Sequence, residues 1–105
     1  RLVLCYGMIG GVIGSFNVAL NHCQNRIQFK KPLVRKQNIQ MQLFEIRSNI
    51  EAMFSLVERL SYLCKIEDYS SGKVGMAKAW CSNIGKKSIS IAREILGGNG
   101  ILYEN

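Results

Sequence analysis

Residues 35–66 read RKQNIQMQLFEIRSNIEAMFSLVERLSYLCKI, and this stretch decides the fold. Ile39, Leu43, Ile46, Ile50, Met53, Val57, Leu60 and Leu63 recur in it at intervals of three and four. That spacing stacks them along one side of an α-helix, because neighbours on a helix face lie three or four residues apart. Glu45, Arg47, Glu51, Glu58 and Arg59 fall on the other side and make a solvated back. A helix of about thirty residues is long for a globular protein and ordinary for a helical bundle. The stretch therefore predicts a bundle helix over 35–66.

Upstream, Gln28-Phe29-Lys30-Lys31-Pro32 interrupts the pattern. Proline cannot continue a helix and restricts the residue before it. The preceding segment predicts a first helix over Leu2–Ile27. Its first part, Leu2–Phe16, is apolar for 15 residues, short of the roughly 20 that a membrane span needs. It is expected to be a buried core helix, not a transmembrane segment. Gly7, Gly10, Gly11 and Gly14 lie within it. Glycine inside a helix costs about 1 kcal/mol against alanine, so their density predicts close approach of another backbone.

Downstream, Glu67-Asp68-Tyr69-Ser70-Ser71-Gly72 breaks the long helix, and Ser70 or Ser71 can cap the next one. Val74, Ala77, Cys81, Ile84, Ser88, Ile91 and Ile95 then recur at helical spacing and should face inward. Ser88 is the polar member of that stripe, and its hydroxyl can bond back to a helix carbonyl. This third helix, Gly72–Leu96, stops at Gly97-Gly98-Asn99-Gly100. Short connections between long helices make sequence neighbours antiparallel. The expected fold is all-α: an up-and-down bundle of three long helices whose broad apolar faces leave room for a fourth. No domain boundary, repeat or low-complexity segment divides the 105 residues.

The chemistry available is limited. With 48% hydrophobic residues and one proline, the chain can pack a core. The net charge of +7 is uneven, because Arg26, Lys30, Lys31, Arg35 and Lys36 fall in one short loop without an acid. Such a loop is either a solvated connection or a site for an anion such as a phosphate. With one interleaved aromatic it is too small for a nucleic-acid groove, and no nucleic-acid partner is expected. The four cysteines, Cys5, Cys23, Cys64 and Cys81, are 18, 41 and 17 residues apart, which excludes a CxxC redox or zinc motif. They are expected to be reduced, part-buried thiols in an intracellular compartment. The single histidine, His22, supports neither a metal site nor a nucleophile–base pair. The basic loop and the glycine turn remain, and an up-down-up path puts both at one end of the bundle.

Those two segments carry a resemblance. Arg26-Ile27-Gln28-Phe29, followed by Pro32-Leu33 and Gln37, resembles the Arg-x-x-Phe-Gly-x-Pro-Leu…Gln segment of the acyl-CoA dehydrogenases. Leu96-Gly97-Gly98-Asn99-Gly100 resembles their Leu-Gly-Gly-Asn-Gly turn. The resemblance covers the chain as part of the family's C-terminal helical domain. The segments 49–54 and 95–101 look closest to the glutaryl-CoA dehydrogenase branch and the short-chain acyl-CoA oxidases.

The resemblance implies an FAD-dependent oxidoreductase acting on an acyl-CoA, organised as a homodimer or homotetramer whose FAD is partly held by a neighbouring subunit. It implies that Arg26 meets the FAD pyrophosphate, Phe29 packs on the cofactor and Gln37 helps hold it. Glu94, Gly97 and Gly98 would line the adenine end, and Arg1 would stand near the acyl pocket. Lys30 replaces the family's usual glycine, and Glu94 its usual glutamine. The family's base lies in a Tyr-Glu-Gly segment beyond the glycine turn or just before the arginine matching Arg1. No catalytic residue is therefore expected here, and Glu104 is not expected to replace it. The chain alone is expected to be inactive. The mitochondrial matrix, or alternatively the peroxisome, is the expected location. The competing reading is a non-catalytic helical interaction module derived from the same fold.

Overall fold

A computed structural model describes residues 2–28, 31–66 and 71–97. Three long helices dominate: α1, Leu2–Asn25; α2, Gln37–Lys65; and α3, Ser71–Leu96. They run up, down and up, so α1 and α3 are parallel and α2 opposes both. The expected all-α bundle is the observed one. The boundaries shift slightly. α1 ends at Asn25 instead of Ile27, because Ile27 and Gln28 leave the helix and pair antiparallel with Pro32 and Lys31. This makes two very short strands, β1 (Ile27–Gln28) and β2 (Lys31–Pro32). A single 3-10 turn, Leu33–Arg35, then delays the start of α2 to Gln37. Gln40 Nε2 donates to the Val34 carbonyl at 3.0 Å and ties that turn to the helix behind it.

The core follows the sequence periodicity closely. Leu43, Ile46, Ile50, Met53, Val57, Leu60 and Leu63 of α2 are buried, and Ile39 is half-buried. From α3, Val74, Ala77, Cys81, Ser88, Ile91 and Ile95 are buried, with Ile84 packed against the core. α1 contributes Cys5, Ile9, Val12, Ala19 and Cys23. Ser88 finds a different partner from the one expected. Its hydroxyl oxygen accepts a 3.0 Å hydrogen bond from Asn49 Nδ2 across the α2–α3 interface. A hydroxyl with no exposed surface is thus satisfied between helices rather than by its own backbone.

α1 does not match the expectation of a buried core helix. One stripe of it is interior, while Val3, Leu4, Tyr6, Ile13 and Val18 are exposed. The four glycines are not packed either: a Cβ placed on Gly7, Gly10, Gly11 or Gly14 would meet nothing within 4 Å. The reason is geometric. The buried stripe of Cys5, Ile9, Val12, Ala19 and Cys23 occupies the side of the helix opposite Gly7, Gly10 and Gly14. The close helix contact lies elsewhere, at Gly85 of α3, where a Cβ would stand 2.6 Å from Met8 Cγ and Sδ. α1 packs more extensively on α3 than on α2. The apolar run of α1 also extends beyond Phe16. By length and composition alone, Val3–Asn25, with a mean hydropathy of 1.7, could cross a bilayer. Its inward stripe joins one core with α2 and α3.

Candidate functional site

The up-down-up path gathers the C-terminus of α1, the N-terminus of α2 and the C-terminus of α3 at one end. Ala19 and Cys23 of α1, Leu43 and Ile46 of α2, and Ile91 and Ile95 of α3 belong to a single core cluster, which fixes the three ends relative to each other. Arg26 leaves this cluster one residue after α1. Its amide still donates to the His22 carbonyl at 2.8 Å, which continues the helical turn, while its side chain is exposed. The 3-10 turn packs on both α1 and α2 and places exposed Arg35 at the same end. Neither arginine has an acidic partner among the described residues.

α2 opens towards the same region. Its N-cap, Lys36, has extended backbone (φ −78°, ψ 133°) and makes no side-chain hydrogen bond to the first turn. No acid lies in that turn. The leading amides therefore keep their partial positive charge, which favours an anion. Gln37, the first helical residue, is exposed. Across the end, Gly97 follows α3 with φ +63°. That left-handed conformation ends the helix, costs glycine nothing, and leaves no Cβ to block a ligand. Glu94 is exposed on the last turn of α3.

Of the residues singled out from the sequence, Arg26, Gln37, Glu94 and Gly97 are thus brought to one end of the bundle. Arg1, Phe29 and Gly98 lie outside the described residues, as do Lys30, Glu104 and the proposed cap at Ser70. Arg35 entered the sequence reading only as one charge of the basic loop, and the uncapped start of α2 did not enter it. The polar run Arg35-Lys36-Gln37-Asn38 was the available signal.

Displaced thiol pKa values are found on the α1 side of the core. Burial pushes the Cys23 thiol up. The Cys81 thiol is pushed up to about 11 by burial, and then by the charge and hydrogen bond of Cys5. Among the described residues no group of three or more histidines, cysteines or acids is placed to hold a metal ion.

The family model of the acyl-CoA dehydrogenase C-terminal domain matches residues 1–105. The chain belongs to that family. It is 29% identical over 105 residues to a cyclohex-1-ene-1-carbonyl-CoA dehydrogenase of Geobacter metallireducens, covering 98% of this chain and 28% of that protein. A benzylmalonyl-CoA dehydrogenase of Aromatoleum aromaticum is also 29% identical, over 99% of this chain and 28% of its own length. Butyryl-CoA dehydrogenase of Megasphaera elsdenii superimposes with a TM-score of 0.94 at 25% identity, over 100% of this chain and 27% of that one. An acyl-CoA dehydrogenase of Geobacillus kaustophilus has the same fold, with a TM-score of 0.93. The chain therefore spans under a third of the length of these relatives. It corresponds to their helical C-terminal domain, and these relatives do not single out the glutaryl branch.

Proposed function

We propose that this acyl-CoA dehydrogenase domain serves an FAD-dependent enzyme that dehydrogenates an acyl-CoA thioester between its α and β carbons. Within that enzyme it supplies part of the FAD site and part of the subunit interface. The observation carrying this reading is the composition of one end of the bundle. Exposed Arg26, the uncapped N-terminus of α2 and the left-handed turn at Gly97 meet there, and among the described residues no acid forms an ion pair with the arginine. These groups suit a dinucleotide pyrophosphate: a guanidinium donates in a planar fork, helix amides complement phosphate charge, and a glycine backbone allows close approach.

In this reading Arg26 binds the pyrophosphate of FAD, and the amide side chain of Gln37 hydrogen-bonds the cofactor. Phe29 packs against it, Glu94, Gly97 and Gly98 line its adenine end, and Arg1 stands near the acyl pocket. FAD would supply the acceptor for the hydride that leaves the substrate. The protein's own contribution here is binding and orientation. A homodimer or homotetramer completes the site, and the exposed apolar residues Met41, Phe44, Met76 and Trp80 are available to subunit contacts.

The test is Arg26→Ala in the full-length protein, followed by FAD content after exhaustive dialysis and titration of the apoprotein with FAD. A charge-assisted hydrogen bond to phosphate is worth about 1.5–3 kcal/mol, so the dissociation constant should rise roughly ten- to hundredfold. The exposed position of Arg26 predicts an unchanged thermal midpoint for the apoprotein. Equal FAD affinity in the variant would remove the pyrophosphate assignment. Absence of FAD binding in the parent would favour the non-catalytic interaction module.

A further inference from the structure

Two cysteines far apart in sequence meet in the core. Cys5 lies in the first turn of α1 and Cys81 in the middle of α3. The register between these parallel helices is set by Gly85, whose Cα faces Met8 and Val12. One turn towards the N-terminus on each helix, this register brings Cys81 level with Cys5. Both side chains are about 1% exposed and belong to the same core cluster. Cys5 adds to the upward push that burial gives the Cys81 thiol, as a neighbouring thiol does. Neither is part of the proposed cofactor site, which lies at the opposite end of α1. Both thiols are free in this structure.

We infer that Cys5 and Cys81 are a dithiol modification site, which small-molecule disulfides convert to a covalent α1–α3 crosslink. In the first step the Cys5 thiolate attacks a disulfide such as oxidised glutathione, forms a mixed disulfide and releases one small thiol. In the second step the Cys81 thiolate attacks the Cys5 sulfur, closes the protein disulfide and releases the other small thiol. The protein loses two hydrogens and two electrons, and the small disulfide gains them as two thiols.

Burial sets when this happens. The raised Cys81 pKa keeps that thiol protonated in the closed bundle, and a protonated, enclosed thiol is a poor nucleophile. Access comes through local opening of the α1–α3 contact, which a protein samples at a lower cost than global unfolding. Such opening frees Cys5 while Cys81 stays in place on α3, and reclosing returns both side chains to the shared core. Cys64 is half-buried and Cys23 is fully buried. The site thus answers to thiol-oxidising conditions by fastening the first helix to the third.

The experiment uses the full-length protein with Cys64→Ser to remove the most accessible described thiol. It is incubated with oxidised glutathione, alkylated, digested without reductant and mapped by mass spectrometry. The expected product is a linked pair of peptides carrying Cys5 and Cys81, two hydrogens lighter than the sum of the free peptides. The crosslink closes a long chain loop, so the thermal midpoint of the domain should rise by about 10 °C. A thiol reductant should reverse both changes. Cys81→Ala and, separately, Cys5→Ala should abolish the linked peptide and the thermal shift. Mapping of the parent stands without either variant. Oxidation that leaves both thiols free, or that stops at mixed disulfides without the Cys5–Cys81 link, overturns the inference.

Discussion

Gly85 is the point where two opposing effects of one methyl group can be separated. Gly85→Ala should stabilise α3 by about 1 kcal/mol through helix propensity alone. The new Cβ would lie 2.6 Å from Met8 Cγ and Sδ and 3.6 Å from Val12 Cγ2. Carbon contacts are optimal near 3.5–4.0 Å, so Met8 must retreat by roughly 1 Å, whereas Val12 is already at ordinary contact distance. Overpacking of this kind costs about 1–3 kcal/mol. Met8 is half-buried and flexible, which puts the cost at the lower end of that range. The net effect is a loss of about 1 kcal/mol or less, or roughly 4–8 °C per kcal/mol in thermal midpoint for a domain of this size.

The decisive measurement is the same substitution in a Met8→Ala background. There the obstructing atoms are gone, and Gly85→Ala should become stabilising by about 1 kcal/mol. Gly10→Ala, whose Cβ meets nothing, should stabilise in either background. Denaturant unfolding followed by helical circular dichroism, at one fixed protein concentration, supplies all the values. If Gly85→Ala has the same sign and size with and without Met8, the register deduced between α1 and α3 is wrong.

Other substitutions test other parts of the core. Met53→Ala removes a side chain with no exposed surface and should cost about 2–5 kcal/mol in the same unfolding assay. At the α2–α3 interface, Asn49→Ala strips the buried Ser88 hydroxyl of its donor and should cost about 1–3 kcal/mol. Ser88→Ala leaves only the part-buried Asn49 amide, which can turn towards water, and should cost less. The reverse order would show that Ser88 can satisfy itself on the backbone of α3.

The fold was legible because α2 and α3 each carry one unbroken stripe. Every residue in the α2 stripe from Leu43 to Leu63 is buried, and on α3 only Ile84 falls short of full burial. Periodicity reports such a face because the 3.6-residue turn acts within one helix. It says nothing about the rotation and sliding of one helix against another. The errors on α1 have that origin. Apolar residues cover much of its circumference, so no single face stood out, and four glycines suggested a contact that this chain does not make there. The same limit hid the Cys5–Cys81 pair: a separation of 76 residues carries no motif, and only the register set at Gly85 aligns the two. The candidate cofactor site was partly visible for the opposite reason. Its parts sit at helix ends, which sequence marks directly through Pro32, the Arg35-Lys36 pair and Gly97. In an up-down-up bundle, helix ends converge through connectivity, without any detail of packing. A site built at helix ends can therefore be found from sequence before one built between helix faces, as the end carrying Arg26 and the pair at Cys5 illustrate.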